Sequence, residues 1–216
     1  MKLGNFRSGL FLQSYTDQDT VSEEPAMKRI EAALLPIDDP VLPEGRKELR
    51  IVTPGQLRMV AASLKEDARL AVCMSREEGD MPCYPIATLA HVVDFHMLDD
   101  DTLSIVVEGR QRIRVLSTWA APDGVWMGSA LQMTNWPSCP LDQHFSVLGE
   151  ALRRLYEAQP ELGHLYHEPH LEDACWVSQR WLEVLPLVEQ EKQRLMGQPD
   201  CAKTMQYVLS LILSHQ

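Results

Sequence analysis

Near residue 140 the spacing of apolar side chains changes from every second position to about every 3.6, and one layer of secondary structure cannot satisfy both periods. Ahead of that point, Leu103, Ile105 and Val107 alternate with polar partners, and Ile113 and Val115 resume the alternation beyond Gly109. Behind it, Phe145, Leu148, Leu152, Leu155 and Tyr156 mark one helical face. Val177, Trp181, Val184 and Leu185 mark a second, and Met205, Val208, Leu209 and Ile212 a third. The chain is therefore expected to be α+β, with its strands first and its helices last.

The β-rich part can be read element by element. Ala32, Leu34, Leu35 and Ile37 make a short strand, which Pro36 places near an edge or end. The loop from Asp38 to Gly45 leads to a second strand at Glu48–Val52. Thr53 can cap a helix whose first position suits Pro54, and Gln56 can complete a capping box. Leu57, Val60, Ala61 and Leu64 are expected on its inner face. Leu70–Met74 reads as a buried strand, and Arg76–Pro82 as an exposed loop. Ile86–Met97 and Leu103–Leu116 form a long hairpin joined at Leu98–Thr102, with a bulge or bend expected at Gly109. Val125–Met133 supplies one more strand, and a short helix is expected over Val188–Met196.

Charge and cysteine content narrow the function. The formal charge of -11 repels a phosphate backbone, so nucleic acid is not an expected partner. Five scattered cysteines with no C-x-x-C pair argue for reduced thiols in a cytoplasmic protein, and against a disulfide framework or a structural zinc site. The apolar run Leu10-Phe11-Leu12 is too short for a signal-peptide core, and no stretch approaches a membrane-spanning length. Residues 1–29 read as a polar, partly mobile leader, residues 30–138 as the β-rich domain and residues 139–216 as the helical domain.

Catalytic machinery is not evident. Gly4 and Gly9 have phosphate-loop spacing, but Leu10-Phe11 stands where Lys and Ser/Thr are required. Ser129 follows Gly128 without the second glycine of a nucleophile elbow. His164, His167 and His170, with Glu172 and Asp173 close behind, offer zinc-type donors and hence a metal-dependent enzyme as one reading. Pro169 interrupts any helix through them, which favours a polar interhelical loop capped at Glu172 or Asp173. Arg110, Arg112 and Arg114 alternate along a strand and so fall on one side of it. They could grip acidic peptide or RNA, or simply form a solvated face. Of the five tryptophans, Trp136 at the junction is a candidate to line a cleft between sheet and helices, with core packing the competing role. His91 and His96 read as structural residues of a strand.

Several segments together resemble the amino-terminal, substrate-binding domain family of Lon proteases, which includes standalone bacterial members. They are Leu35-Pro36-Ile37, Val41-Leu42-Pro43-Glu44-Gly45, Leu49-Arg50-Ile51-Val52 and the run Glu108-Gly109-Arg110-Gln111-Arg112-Ile113-Arg114-Val115. The helical tail with Trp181-Leu182-Glu183-Val184-Leu185-Pro186 extends the likeness to residue 216. The resemblance implies a PUA-like pseudo-barrel β-domain followed by a C-terminal helical bundle. It also implies a non-catalytic module without cofactor, which binds unfolded or extended polypeptide and could serve a separate protease. The expected state is a monomer or weak homodimer, and the competing class is an RNA-binding PUA-like domain.

Overall fold

The computed structural model describes residues 28–65, 68–77, 79 and 81–214. The glycine pair at Gly4 and Gly9 and nearly all of the polar leader lie outside them. Six strands form one mixed sheet: β1 (Arg29–Ile37), β2 (Arg46–Ile51), β3 (Leu70–Ser75), β4 (Cys83–Met97), β5 (Leu103–Ala120) and β6 (Trp126–Gln132). Their order is β2-β5-β4-β3-β1-β6, and a further β5–β6 pairing closes β1, β3, β4, β5 and β6 into a ring. Strand β1 pairs in parallel with β3, and the other pairings are antiparallel.

The length of β5 makes closure possible. Its first half pairs with β2 through Leu103–Glu108, and its second half pairs with β6 from Ile113 to Ala120, both on the side away from β4. At Gly109 the strand changes neighbours. Register passes from Leu89 opposite Gln111 to Ala90 opposite Gly109, so Arg110 is the extra residue of a bulge. A Cβ on Gly109 would overlap the carbonyl of Leu42, whose loop crosses there, so glycine is required by close approach. Pro36, next to last in β1, pairs opposite Cys73; it sits at the strand's end, and β1 lies inside the sheet between β3 and β6.

Helix α1 (Pro54–Leu64) starts as its sequence predicts: the Thr53 hydroxyl accepts the Gln56 N–H, and the Gln56 side chain accepts the Thr53 N–H. Its inner face differs from the expected stripe. Met59 and Val60 are buried against the sheet, while Leu57, Ala61 and Leu64 face outward. The helix packs across β3 and β4, which rotates its contact line to Met59.

Beyond β6 come a 3-10 turn (Gln143–Phe145) and α2 (Ser146–Ala158), α3 (Pro160–Gly163), α4 (Ala174–Val184), α5 (Glu189–Met196) and α6 (Ala202–Ser214). The short α3 has no counterpart in the apolar spacing.

Three apolar clusters hold the fold. Alternate residues of all five ring strands, among them Leu34, Cys73, Ala87, Ile113 and Ala130, form one. The opposite faces of β1, β3 and β5 pack under α1 as a second, with Leu35, Val72 and Ile105. The third joins the helices to the sheet through Leu42, Met74, Ile86 and Trp136. Because this last cluster spans residue 139, the strands and helices share buried surface.

Polar ties reinforce it. The Glu183 carboxylate accepts the Leu42 N–H at 2.6 Å, and Arg180 donates to Pro43 O at 2.9 Å. The Gln193 side-chain amide accepts the Ile86 N–H at 2.8 Å and donates to Ile86 O at 3.0 Å, occupying β4's backbone near its first end.

Candidate functional site

Strand β4 outruns its neighbour. Pairing with β3 stops at Leu70 opposite Ala90, yet β4 continues to Met97 with β5 alone beside it. Among the described residues no strand pairs with the outer side of His91–Met97, so its edge peptide groups remain available for another strand. With β2 on the far side of β5, this end of the sheet is a three-stranded arm capped by Leu98–Thr102.

Register assigns side chains to the arm's faces. Phe95 lies opposite Ile105, which lies opposite Leu49; Met97 lies opposite Leu103, which lies opposite Ile51. These six share one apolar face. Ile105 and Ile51 are buried under α1, but Phe95 and Met97, at the open edge, are 60% and 62% exposed. Val93 is the extra residue of a second bulge and is exposed as well. Helix α1, packed against β4, adds the outward-facing Leu57 and Leu64. An open strand edge is thus flanked by exposed apolar side chains of the strand itself.

The surroundings are acidic. The tip carries Asp99, Asp100 and Asp101; Asp101 turns the chain with φ of 61°, and Asp100 is ion-paired with Arg50. On the polar face of the arm, His96 Nε2 lies 3.3 Å from Glu48. Near the base of α1, Arg58 pairs with Asp123, whose carboxyl is held below its ordinary range chiefly by the Val125 backbone N–H. His91 is exposed and borders a cavity of about 680 Å³ with Ser63, Ala68 and Arg69.

A smaller groove borders the other side of the arm. The Arg46 N–H donates to the Tyr166 hydroxyl at 2.9 Å, so the Glu48 and Arg50 peptide groups, at the same parity, point the same way along β2. The space between β2 and the helices, about 240 Å³, is lined by Lys47, Tyr156, Leu162, Leu165 and Val184 among others. Burial pushes the Tyr166 hydroxyl up to about 12, so it remains a neutral hydrogen-bonding group at neutral pH.

The residues singled out by sequence do not converge. Arg110, Arg112 and Arg114 do not form one face, because the bulge takes Arg110 out of alternation. Arg110 is exposed and pairs with Glu108 at 3.0 Å; Arg114 is exposed. Arg112, 1% exposed, is buried and cannot touch a ligand on the surface. It donates to Met196 O at 2.6 Å, to Gln198 O at 3.1 Å and to Thr134 O, with its guanidinium over the Trp136 ring. Trp136 is likewise buried at the junction, where its indole N–H donates to Gln198 O at 2.7 Å.

His164, His167 and His170 are exposed in the loop before α4. His164 bonds Pro160 O at 2.6 Å and His170 meets the Trp176 ring edge-on. Asp173 caps α4 by accepting the Trp176 N–H at 2.9 Å. Among the described residues the group able to hold a metal ion is a different one, Cys139, Cys175 and Cys201, whose sulfurs the fold brings together. The wide sequence spacing, read as arguing against a zinc site, gives no sign of this proximity.

The sequence marked Phe95 and Met97 as residues of the strand Ile86–Met97. It held no sign that β3 stops short of them.

Comparison with protein-family models matches residues 31–214 to the ATP-dependent protease La (LON) substrate-binding domain. Among solved structures, the chain is similar to a Lon N-terminal domain protein from Xanthomonas campestris, with 22% identity and a TM-score of 0.66 over 84% of this chain and 98% of that one. It is also similar to the N-terminal domain of the Mycobacterium avium complex Lon protease, with 14% identity and a TM-score of 0.61 over 87% of this chain and 100% of that one. No curated protein matches it.

Proposed function

Because the chain belongs to the ATP-dependent protease La (LON) substrate-binding domain family, we propose that it is a non-catalytic module that captures extended or unfolded polypeptide. Capture is by strand addition to the open edge of β4, with apolar side chains of the guest seated against Phe95 and Met97. The observation that carries this reading is the seven-residue overhang of β4, His91–Met97, which combines unpaired backbone with exposed apolar side chains. Backbone pairing supplies affinity without regard to sequence, and the apolar flank selects segments that a folded protein would bury. The acidic tip and the formal charge of -11 favour guests that carry basic residues beside the apolar stretch.

The ring of β1, β3, β4, β5 and β6 supports a PUA-like pseudo-barrel in residues 30–138, followed by a helical domain in residues 139–216. Burial of Arg112 and pairing of Arg110 with Glu108 weaken the RNA-binding alternative, since both basic groups are committed within the chain. None of the described helices is long and apolar enough to cross a membrane, in keeping with a cytoplasmic module that works as a monomer or weak homodimer and passes polypeptide to a separate protease.

The test is fluorescence anisotropy with a labelled peptide of alternating apolar and basic residues. Binding should weaken at least tenfold when alternate peptide nitrogens are methylated, because methylation removes the edge hydrogen bonds and keeps the side chains. Equal affinity of the methylated and unmethylated peptides would rule out strand addition; no binding of either would remove the polypeptide reading itself.

A further inference from the structure

Cys139, Cys175 and Cys201 lie 36, 26 and 62 positions from one another in the chain, yet their sulfurs meet. The Sγ separations are 3.0 Å for Cys175–Cys201, 3.7 Å for Cys139–Cys175 and 3.8 Å for Cys139–Cys201. Each cysteine is positioned by backbone. Cys139 O accepts the Ala174 N–H at 2.8 Å, so the segment leaving the sheet is tied to the start of α4. Cys175 is the second residue of α4, and its thiol reaches Pro137 O at 2.7 Å. Cys201 immediately precedes α6 and accepts the Met205 N–H at 2.9 Å. Cys175 and Cys201 are buried, and Cys139 is partly open to solvent.

Thiolates around zinc(II) at about 2.3 Å stand about 3.8 Å apart in a tetrahedral arrangement. Two of the three separations already have that value to within a tenth of an ångström, and the third needs the Cys175 and Cys201 side chains to part slightly.

The second observation is a cation. Arg112 is buried, its hydrogen bonds end on neutral carbonyl oxygens, and its Nε has no hydrogen-bond partner. A buried guanidinium needs a compensating negative charge. Arg112 touches Thr134, Trp136 and Gln198, each only a few positions along the chain from Cys139 or Cys201. Three neutral thiols leave Arg112 uncompensated. Three thiolates alone would overcompensate it, whereas three thiolates with one zinc(II) carry a net single negative charge that matches one guanidinium. A monovalent ion such as copper(I) would leave the centre doubly negative.

We propose that Cys139, Cys175 and Cys201 are a zinc(II) site of three thiolates, with its fourth position left to water beside Cys139 and its net charge balanced by Arg112. Binding replaces the thiol protons, which pass to solvent, and no electron is transferred. The ion would pin α4 and α6 to the segment that leaves β6, at the junction where strands and helices share their core.

The experiment uses the full chain without an affinity tag, stripped of metal and shown by thiol titration to be fully reduced. Cobalt(II) should produce thiolate-to-cobalt charge-transfer absorption that saturates at one ion per chain, and zinc(II) should displace it. Cys139→Ala, the least buried change, and Cys175→Ser should each lower zinc affinity at least 100-fold while circular dichroism reports a folded chain. A His164→Ala, His167→Ala, His170→Ala variant should bind as the parent does. Absence of charge-transfer absorption at saturating cobalt(II) would overturn the site, as would full absorption in both cysteine variants. Loss of binding in the histidine variant would move it to the loop. Polypeptide capture at β4 stands or falls separately.

Discussion

Glu183 on α4 accepts the backbone N–H of Leu42 at 2.6 Å while its other carboxylate oxygen lies 2.8 Å from the Arg180 guanidinium, so one side chain ties the helices to the loop that crosses β5. Arg180 is fully buried, and its own donation to Pro43 O extends the tie. Burial raises the Glu183 carboxyl, and the charge of Arg180 opposes that rise.

Replacing Glu183 with Gln should therefore cost about 3–5 kcal/mol, because it leaves a buried guanidinium without its carboxylate. Urea unfolding at pH 7 measures this. In the parent chain, tryptophan fluorescence and far-ultraviolet circular dichroism should give one coincident transition, since the apolar cluster through Leu42, Met74, Ile86 and Trp136 couples the two parts. Two separated transitions would contradict that coupling.

Phe95→Ser with Met97→Ser removes exposed apolar surface and little else. Stability should change by no more than about 0.5 kcal/mol per site, while binding of a reduced, carboxymethylated unfolded protein should fall at least tenfold. Unchanged binding would mean that guests dock elsewhere, the groove beside β2 being the next place to look.

The Asp39–Lys192 pair gives a pH signature. The Lys192 ammonium is 3% exposed and lies 3.1 Å from the half-exposed Asp39 carboxylate, which Lys47 also approaches at 3.1 Å. Burial alone would raise Asp39, but Lys47 and Lys192 together hold it below its ordinary value of 3.8. A depressed carboxyl contributes stability above the unfolded-state value and loses it as pH falls through the folded one. Asp39→Asn should accordingly destabilise the chain at pH 7 by about 1–3 kcal/mol, mainly through the stranded ammonium. The gap between variant and parent should shrink steadily below pH 4, as thermal melts across that range would record.

The arginine series separates surface from core. Arg114→Ala, exposed, should change stability by no more than about 0.5 kcal/mol. Arg112→Ala should cost more than about 2 kcal/mol, because it leaves buried carbonyls of Thr134, Met196 and Gln198 without their donor. Denaturant midpoints compare the two directly, and equal effects would contradict the burial of Arg112.

Much of the architecture was legible in residues close together in the chain. The capping box at Thr53 and Gln56, the bulge at Gly109, the turn at Leu98–Thr102 and the Asp173 cap all depend on local hydrogen bonding and backbone geometry, which neighbouring residues determine. The match over residues 31–214 adds the family to which the chain belongs. The candidate site was less legible. Phe95 and Ile105 carry the same alternation, and only the point at which β3 stops makes one exposed and the other core. The stripe of α1 was misplaced for the same reason: period selects a face, but the neighbour that covers it selects which face is inside.

Apolar period, turn chemistry and caps are thus written along the chain, because each acts over a few residues. Tertiary packing alone decided that Arg112 is interior, that among the described residues no strand covers the outer edge of β4 beyond Ala90, and that three cysteines up to 62 positions apart share one corner. Contacts of that range arise from loop closure and the docking of separate elements, which no local spacing encodes.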